Sequence, residues 1–257
     1  MKVVILAGGL GTRLAPETDV KPKPLVEIGE RPILWHIMKH YSHFGFKEFV
    51  IALGNKGAEI KKYFLDYRNG NSDLTVNLAT GDIKIRNERA EDWIVHLVDT
   101  GYNTLTGGRV RRLGRWVGSE TFMLTYGDGV STVSLRDLLK FHQSHRVTAT
   151  ITAVRPPARF GGVEFSGDKI SVFTEKSQTS EGWINGGFMV LEPEVLDYVT
   201  DDNSSLERDV LERLSKEGKL GAYKHDGFWQ SMDTPRDLRL LESLWQQGNA
   251  PWKIWDA

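Results

Sequence analysis

A chain of 257 residues, 40% hydrophobic and 26% charged, has the size of one large domain or two small ones and the composition of a globular fold with a sizeable core. Its formal net charge of −1 gives no long-range attraction to nucleic acid or to an anionic membrane surface, so neither is expected as a partner and any affinity for phosphate has to be local. The absence of cysteine excludes disulfides, cysteine-zinc sites and thiol catalysis, and it fits a reducing, cytoplasmic location.

In chain order, Val3–Leu6 reads as a buried strand that opens directly into Ala7-Gly8-Gly9-Leu10-Gly11-Thr12-Arg13-Leu14. The N-terminal segment, one Lys followed by a short apolar run ending in glycines, does not have the pattern of a signal peptide, and no apolar run approaches the roughly 18 residues of a membrane span. A helix from about Pro32 to Gly45 places Ile33, Ile37 and Tyr41 on one face, with Pro early and Gly late. Strands follow at Phe49–Leu53, Trp93–Val98, Phe122–Tyr126 and Ala149–Val154. Between them, helices are expected at about Gly57–Arg68, Gly107–Gly118 and Ser134–His145, while Asn69–Glu91 shows no clear period. This alternation predicts an α/β fold: a mostly parallel mixed sheet covered by helices on both faces. Beyond Val154 the texture changes to short β runs at Gly161–Phe165, Lys169–Glu175 and Gly187–Leu191, then helices at about Pro193–Val199 and Leu206–Glu217. A final helix begins after Phe228–Asp233, with Thr234 as its cap, Pro235 at its first position and Asp237 completing a capping box. The chain therefore reads as one domain, with residues 1–155 as the main α/β part and 156–257 as a smaller β-rich, substrate-binding region sharing the sheet.

The glycine turn after the first strand offers bare backbone N–H groups to anionic oxygens. It is neither a Walker P-loop, since no Gly-Lys-Ser/Thr closes it, nor a dinucleotide fingerprint, since Leu14 stands where a third glycine is required. Glycines alone also suit a plain packing turn. Thr12-Arg13 and Lys21-Pro22-Lys23-Pro24-Leu25 shift the balance toward a phosphate chain, because the two prolines favour an extended backbone in which Lys21 and Lys23 share a face. Tyr126-Gly127-Asp128-Gly129 follows an apolar strand, which puts Asp128 either at the crevice of an open α/β sheet or in a simple turn. Asp233 is either its partner or a helix-start residue; two such carboxylates suit Mg²⁺ shared with substrate phosphates. Glu175-Lys176, beside Asn185-Gly186-Gly187-Phe188, is a candidate clamp for a second phosphate, and Arg159-Phe160-Gly161-Gly162 is a similar close-approach site. The histidine pairs His36/His40 and His142/His145 lack a third ligand and read as ordinary half-buried residues. The tryptophans, Trp252 and Trp255 among them, read as core or interface anchors.

With Leu6–Leu14, Lys21–Leu25, Asp128 and Asp233 in place, the whole chain resembles the sugar-1-phosphate nucleotidyltransferases. Leu97-Val-Asp-Thr-Gly101, Thr106-Gly-Gly-Arg109, Thr125–Gly129, Asn185–Phe188 and Phe228–Thr234 resemble the cytidylyl branch of that family rather than its thymidylyl, uridylyl or adenylyl relatives. The resemblance implies a Rossmann-like fold, CTP and α-D-glucose 1-phosphate as substrates, Mg²⁺ as the cofactor and a homo-oligomer. Carried over by position, it implies that Leu6, Ala7, Gly8, Gly9, Gly11, Thr12, Arg13, Lys23, Thr104, Arg109 and Asp128 bind the nucleotide, with Arg13, Lys23 and Asp128 catalytic. It further implies Asp128 and Asp233 as metal ligands, and Gly161, Glu175, Lys176, Asn185 and Gly186 on the sugar phosphate. Ser177 stands where relatives often have a proline after the Glu-Lys pair. A uridylyl or thymidylyl activity, a catalytically silent nucleotide sensor and an NAD-dependent oxidoreductase are the alternatives; the missing third glycine weighs against the last.

Overall fold

The computed structural model describes residues 1–15, 17–87, 90–156, 162–167, 169–174 and 182–255. Its central sheet is built from β1 (Val3–Leu6), β2 (Glu48–Leu53), β3 (Ile94–Asp99), β4 (Phe122–Tyr126), β5 (Ala149–Val154), β6 (Ile184–Asn185), β7 (Met189–Leu191) and β8 (Leu220–His225). β3, β2, β1 and β4 lie side by side and parallel. β7 pairs antiparallel with β4 and with β5, and β6 continues along the same edge of β5. β8 closes that side, parallel to β5 along its full length. The sheet is mostly parallel with one reversed segment, and its strands come from both halves of the sequence.

Both faces are covered by helices, as the alternation within β1 requires: Val3 and Ile5 point to one apolar cluster, Val4 and Leu6 to the other. The first cluster packs under α1 (Ile33–His43) and α2 (Gly57–Leu65). On the opposite face lies α3 (Thr106–Arg112), through Val110. α4 (Leu135–His145), capped by Ser134, returns to the first face. A wide π-wound turn, Leu206–Leu211, leads into α5 (Glu212–Lys216) over the second cluster. α6 (Pro235–Gln246) starts with the expected Thr234–Asp237 capping box. Among the described residues no helix is long and apolar enough to cross a membrane.

Several elements differ from the sequence reading. The helix expected over 57–68 stops at Leu65 and restarts as the turn Tyr67–Gly70. The one expected over 107–118 begins at Thr106 and breaks at Leu113 before Gly114–Val117, where glycine weakens the winding. Pro193–Tyr198 is a tight 3₁₀ helix. The 69–91 stretch contains an exposed hairpin of Asp73–Val76 and Ile83–Arg86. β8 carries little alternation and a glycine, so its strand character comes from docking on β5. Trp252 and Trp255 are buried against the first core cluster, so their rings serve the interior of this chain. His36 and His40 are buried too, bonded to the Ile28 and Val133 carbonyls, and desolvation lowers both to a pKa of about 4.

Candidate active site

The chain leaves β1 toward β2 on one side and later returns to β4 on the other, so the carboxyl ends of β1 and β4 form a topological switch point, where open α/β sheets present their crevice. A cleft of about 600 Å³ opens there. Its lining includes Leu6–Arg13, Lys23, Tyr102–Thr106, Arg109 and Tyr126–Asp128. All eleven residues expected at the nucleotide thus meet in one cavity, although they come from four separate stretches of chain.

The glycine loop forms one end. Gly11 has φ of +69°, a left-handed conformation that a side chain would strain. Gly8 is glycine for a different reason: a Cβ there would lie 2.4 Å from the Arg109 guanidinium. A Cβ on Gly9 would meet nothing within 4 Å, so this part of the loop faces open space. Among the described residues no backbone carbonyl accepts from the N–H groups of Gly9, Leu10 or Gly11, which leaves them for a ligand or water.

Arg109 lies beneath that loop, 5% exposed. Its Nη1 donates to Leu53 O (3.0 Å), Thr100 Oγ1 (2.8 Å) and Gly101 O (2.7 Å), and its Nη2 to Gly8 O (3.1 Å) and Tyr102 O (3.2 Å). Burial pushes its pKa down, and among the described residues no carboxylate accepts a hydrogen bond from it; carbonyl dipoles hold the charge instead. The guanidinium therefore ties the glycine loop to the loops after β2 and β3, and its field acts on the cleft from the floor.

The other end is ionic. Gly129–Ser131 pairs antiparallel with Trp229–Ser231, and Met232 N–H donates to Asp128 O at 2.8 Å. This ribbon carries Asp233 beside Asp128, across 105 residues of sequence. Lys23 bridges them: Nζ is 2.6 Å from Asp128 Oδ2 and 2.7 Å from Asp233 Oδ1. The Arg13 guanidinium, largely exposed, reaches Asp233 Oδ1 at 3.0 Å. Burial pulls the Lys23 pKa down, but the two carboxylates outweigh it and the net shift is upward. For Asp233, burial pushes up, but the bond to Lys23 and its charge, with the Ser231 hydroxyl and the Arg13 charge, together outweigh it, so its carboxyl sits below the usual range. Two cations and two carboxylates balance locally. Among the described residues no group of three or more His, Asp or Glu could hold a metal alone. Two carboxylates converging on one cation do fit a divalent ion that takes its remaining ligands from phosphate and water.

The expectation that Lys21 and Lys23 share a face is overturned. Lys23–Leu25 winds into a 3₁₀ turn, which carries Lys23 inward, while Lys21 stays exposed and pairs with Glu27 at 2.7 Å. Asn185 and Gly186 are not among the residues lining the cleft; Asn185 Nδ2 is 3.3 Å from the hydroxyl of Tyr126, which does line it, and Trp229 Nε1 donates to Gly186 O at 2.8 Å. Gly161, Glu175 and Lys176, like Arg159, Phe160 and Ser177, fall outside the described residues. Sequence reasoning gives no role to Tyr102, Asn103 and Leu105, which line the cleft, or to Thr100, which anchors Arg109. Their signal is positional, since they occupy the turn between β3 and α3.

A switch-point crevice joining a glycine loop to a Lys-carboxylate cluster defines a protein that handles phosphate esters. The family model described as "Nucleotidyl transferase" matches residues 2–246, and the chain belongs to this family. Over 257 residues, and 100% of both chains, it is 49% identical to the glucose-1-phosphate cytidylyltransferase of Salmonella typhi, and equally so to that of Salmonella typhimurium. Among solved structures, HddC from Yersinia pseudotuberculosis is similar in fold, with a TM-score of 0.70 at 21% identity, covering 95% of this chain and 99% of that one.

Proposed function

We propose that this chain transfers the cytidylyl group of CTP to α-D-glucose 1-phosphate, giving CDP-glucose and pyrophosphate. The observation that carries the reaction class is the cleft itself: free loop amides at one end and Lys23 between two carboxylates at the other. The full-length likeness to a glucose-1-phosphate cytidylyltransferase supports the choice of base and sugar.

An oxygen of the sugar phosphate attacks the α-phosphorus of CTP in line; the new P–O bond forms as the bond to the β-phosphate oxygen breaks, and pyrophosphate leaves. The nucleophile is already an anion, so no general base is needed. The obstacle is repulsion between polyanions, about 4 kcal/mol for one unit-charge pair 4 Å apart at an effective dielectric near 20. The residues answer it in place: the amides of Gly8–Thr12 cradle phosphate oxygens, Arg13 and Lys23 offset charge at the reacting phosphates, and Arg109 fixes the loop. Asp128 and Asp233 would hold Mg²⁺, which when bound neutralises charge and polarises the phosphate oxygens. On this reading one nucleotidyltransferase domain handles the nucleotide with residues 1–155. The remainder binds the sugar phosphate through Gly161, Glu175, Lys176, Asn185 and Gly186. The working form is a cytoplasmic homo-oligomer.

The test is a panel of CTP, UTP, dTTP, ATP and GTP with glucose 1-phosphate, read as pyrophosphate release. CTP should give the highest kcat/KM; a higher value with any other nucleotide overturns the base, and no release with any overturns the reaction.

A further inference from the structure

Glu207 belongs to none of the motifs above, yet its carboxylate touches both sides of the crevice. It lies in the π-wound turn Leu206–Leu211, and single π turns often mark functional sites. Three hydroxyls donate to it: Thr106 at 2.7 Å and Ser205 at 2.8 Å on Oε2, and Tyr126 at 2.7 Å on Oε1. Thr106 opens α3 in the nucleotide wall, while Tyr126 ends β4, two residues before Asp128.

A carboxylate accepts and does not donate, so it dictates the polarity of everything joined to it. The Tyr126 phenol has one proton and gives it to Glu207. Its oxygen is then left as an acceptor for the Asn185 amide nitrogen at 3.3 Å. With its nitrogen so engaged, Asn185 turns its Oδ1 toward the N–H of Gly187, which donates to it at 3.0 Å. The chain runs Gly187 to Asn185 to Tyr126 to Glu207, every link pointing the same way, and it starts from the turn beside Gly186.

Both ionisable members keep their protonation states at neutral pH. Burial pushes Glu207 up, but its three hydroxyl partners outweigh this and the net shift is downward. Burial, and then the charge of Glu207, hold the Tyr126 phenol well above its ordinary value. The polarity of the relay is therefore fixed around neutral pH.

We propose that Glu207 is a positioning residue for the transfer reaction: through Tyr126 it orients Asn185 and the Asn185–Gly187 turn that receives the sugar phosphate, and through Thr106 it braces the nucleotide wall. The inference rests on the reading that the sugar phosphate is held at Asn185–Gly186.

The test is steady-state kinetics of the full-length wild type, Tyr126→Phe, Glu207→Gln and the double variant, with KM for each substrate, kcat and Tm measured for each. Tyr126→Phe cuts the relay at its middle. It should raise KM for glucose 1-phosphate about tenfold, the scale of a hydrogen bond to a charged group, and leave KM for CTP within twofold. Glu207→Gln should raise both KM values, and the double variant should be no worse than Glu207→Gln toward the sugar phosphate, because one link is being broken twice. If Tyr126→Phe leaves both KM values within twofold, or the two effects multiply in the double variant, the inference is overturned. Should Glu207→Gln fail to fold, Tyr126→Phe decides alone. Failure of the underlying reading shows separately, as a wild type that makes no nucleotide sugar.

Discussion

The two ends of the crevice each hold a cation, half-buried Lys23 and buried Arg109, and they hold it in opposite ways. Lys23 sits between two carboxylates that arrive from distant parts of the chain. Arg109 sits among four backbone carbonyls and one hydroxyl, all supplied by the loops it ties together. An ammonium is a point charge on a flexible stem and its partners are ions, so a phosphate and a divalent cation can replace both halves of that arrangement. A guanidinium whose two terminal nitrogens share five acceptors in fixed directions is held in place from several sides. The carboxylate end is built for exchange of partners, and the glycine-loop end is built to stay still.

On this contrast we propose that Lys23 acts in the reaction and that Arg109 holds the fold. Lys23→Ala should lower kcat by about three orders of magnitude, in line with the loss of a placed electrostatic donor, while the purified variant keeps its fold by circular dichroism. A near-wild-type rate would erase the distinction from one side. Arg109→Met should do its damage to the fold. It leaves the carbonyls of Gly8, Leu53, Gly101 and Tyr102 without this donor, at roughly 1–3 kcal/mol for each that water fails to reach. A loss of about 3–5 kcal/mol, read as a Tm lower by roughly 10 °C, is the expected outcome. An unchanged Tm with a raised KM for CTP would move Arg109 to the substrate side.

The smallest effect concerns pH. The Asp233 carboxyl is held below its ordinary value of 3.8, so the folded state binds its proton less readily than the unfolded chain does. Its contribution is therefore complete above about pH 4 and fades as pH falls through the lower folded value. Denaturant midpoints of wild type and Asp233→Asn should differ near neutrality and converge below pH 4. A constant gap would mean that the Lys23 bridge does not stabilise the fold. Arg109 has no titration in that window.

The same contrast explains what is legible in the sequence. β1 and the glycine loop are contiguous, and a buried strand followed by glycines carries its own meaning, so local pattern is enough to place the loop. The meeting of Asp128 with Asp233 depends on the ribbon of Gly129–Ser131 with Trp229–Ser231, a long-range pairing that spacing does not encode; the residues alone leave Asp233 either a partner or a helix-start residue, and resemblance to a family tips the choice. Lys21 and Lys23 do not share a face because the chain is extended only as far as Pro22; from Lys23 on, where Pro24 and Leu25 are buried, it winds into a 3₁₀ turn. Arg109 is visible through its motif, but its downward packing onto Gly8 is a tertiary fact. Glu207 has no local signal at all: a carboxylate in a helical stretch looks solvated until Tyr126 and Thr106 are brought to it.

The central claim is that a polyphosphate settles over the Gly8–Arg13 loop and draws Lys23 away from its two carboxylates. A crystal structure with CTP and Mg²⁺ tests it most directly. The phosphates should lie on the loop amides, with the cation between Asp128 and Asp233 and Lys23 turned to a phosphate oxygen. A nucleotide bound elsewhere, or one bound here with Lys23 still bridging Asp128 and Asp233, would contradict it.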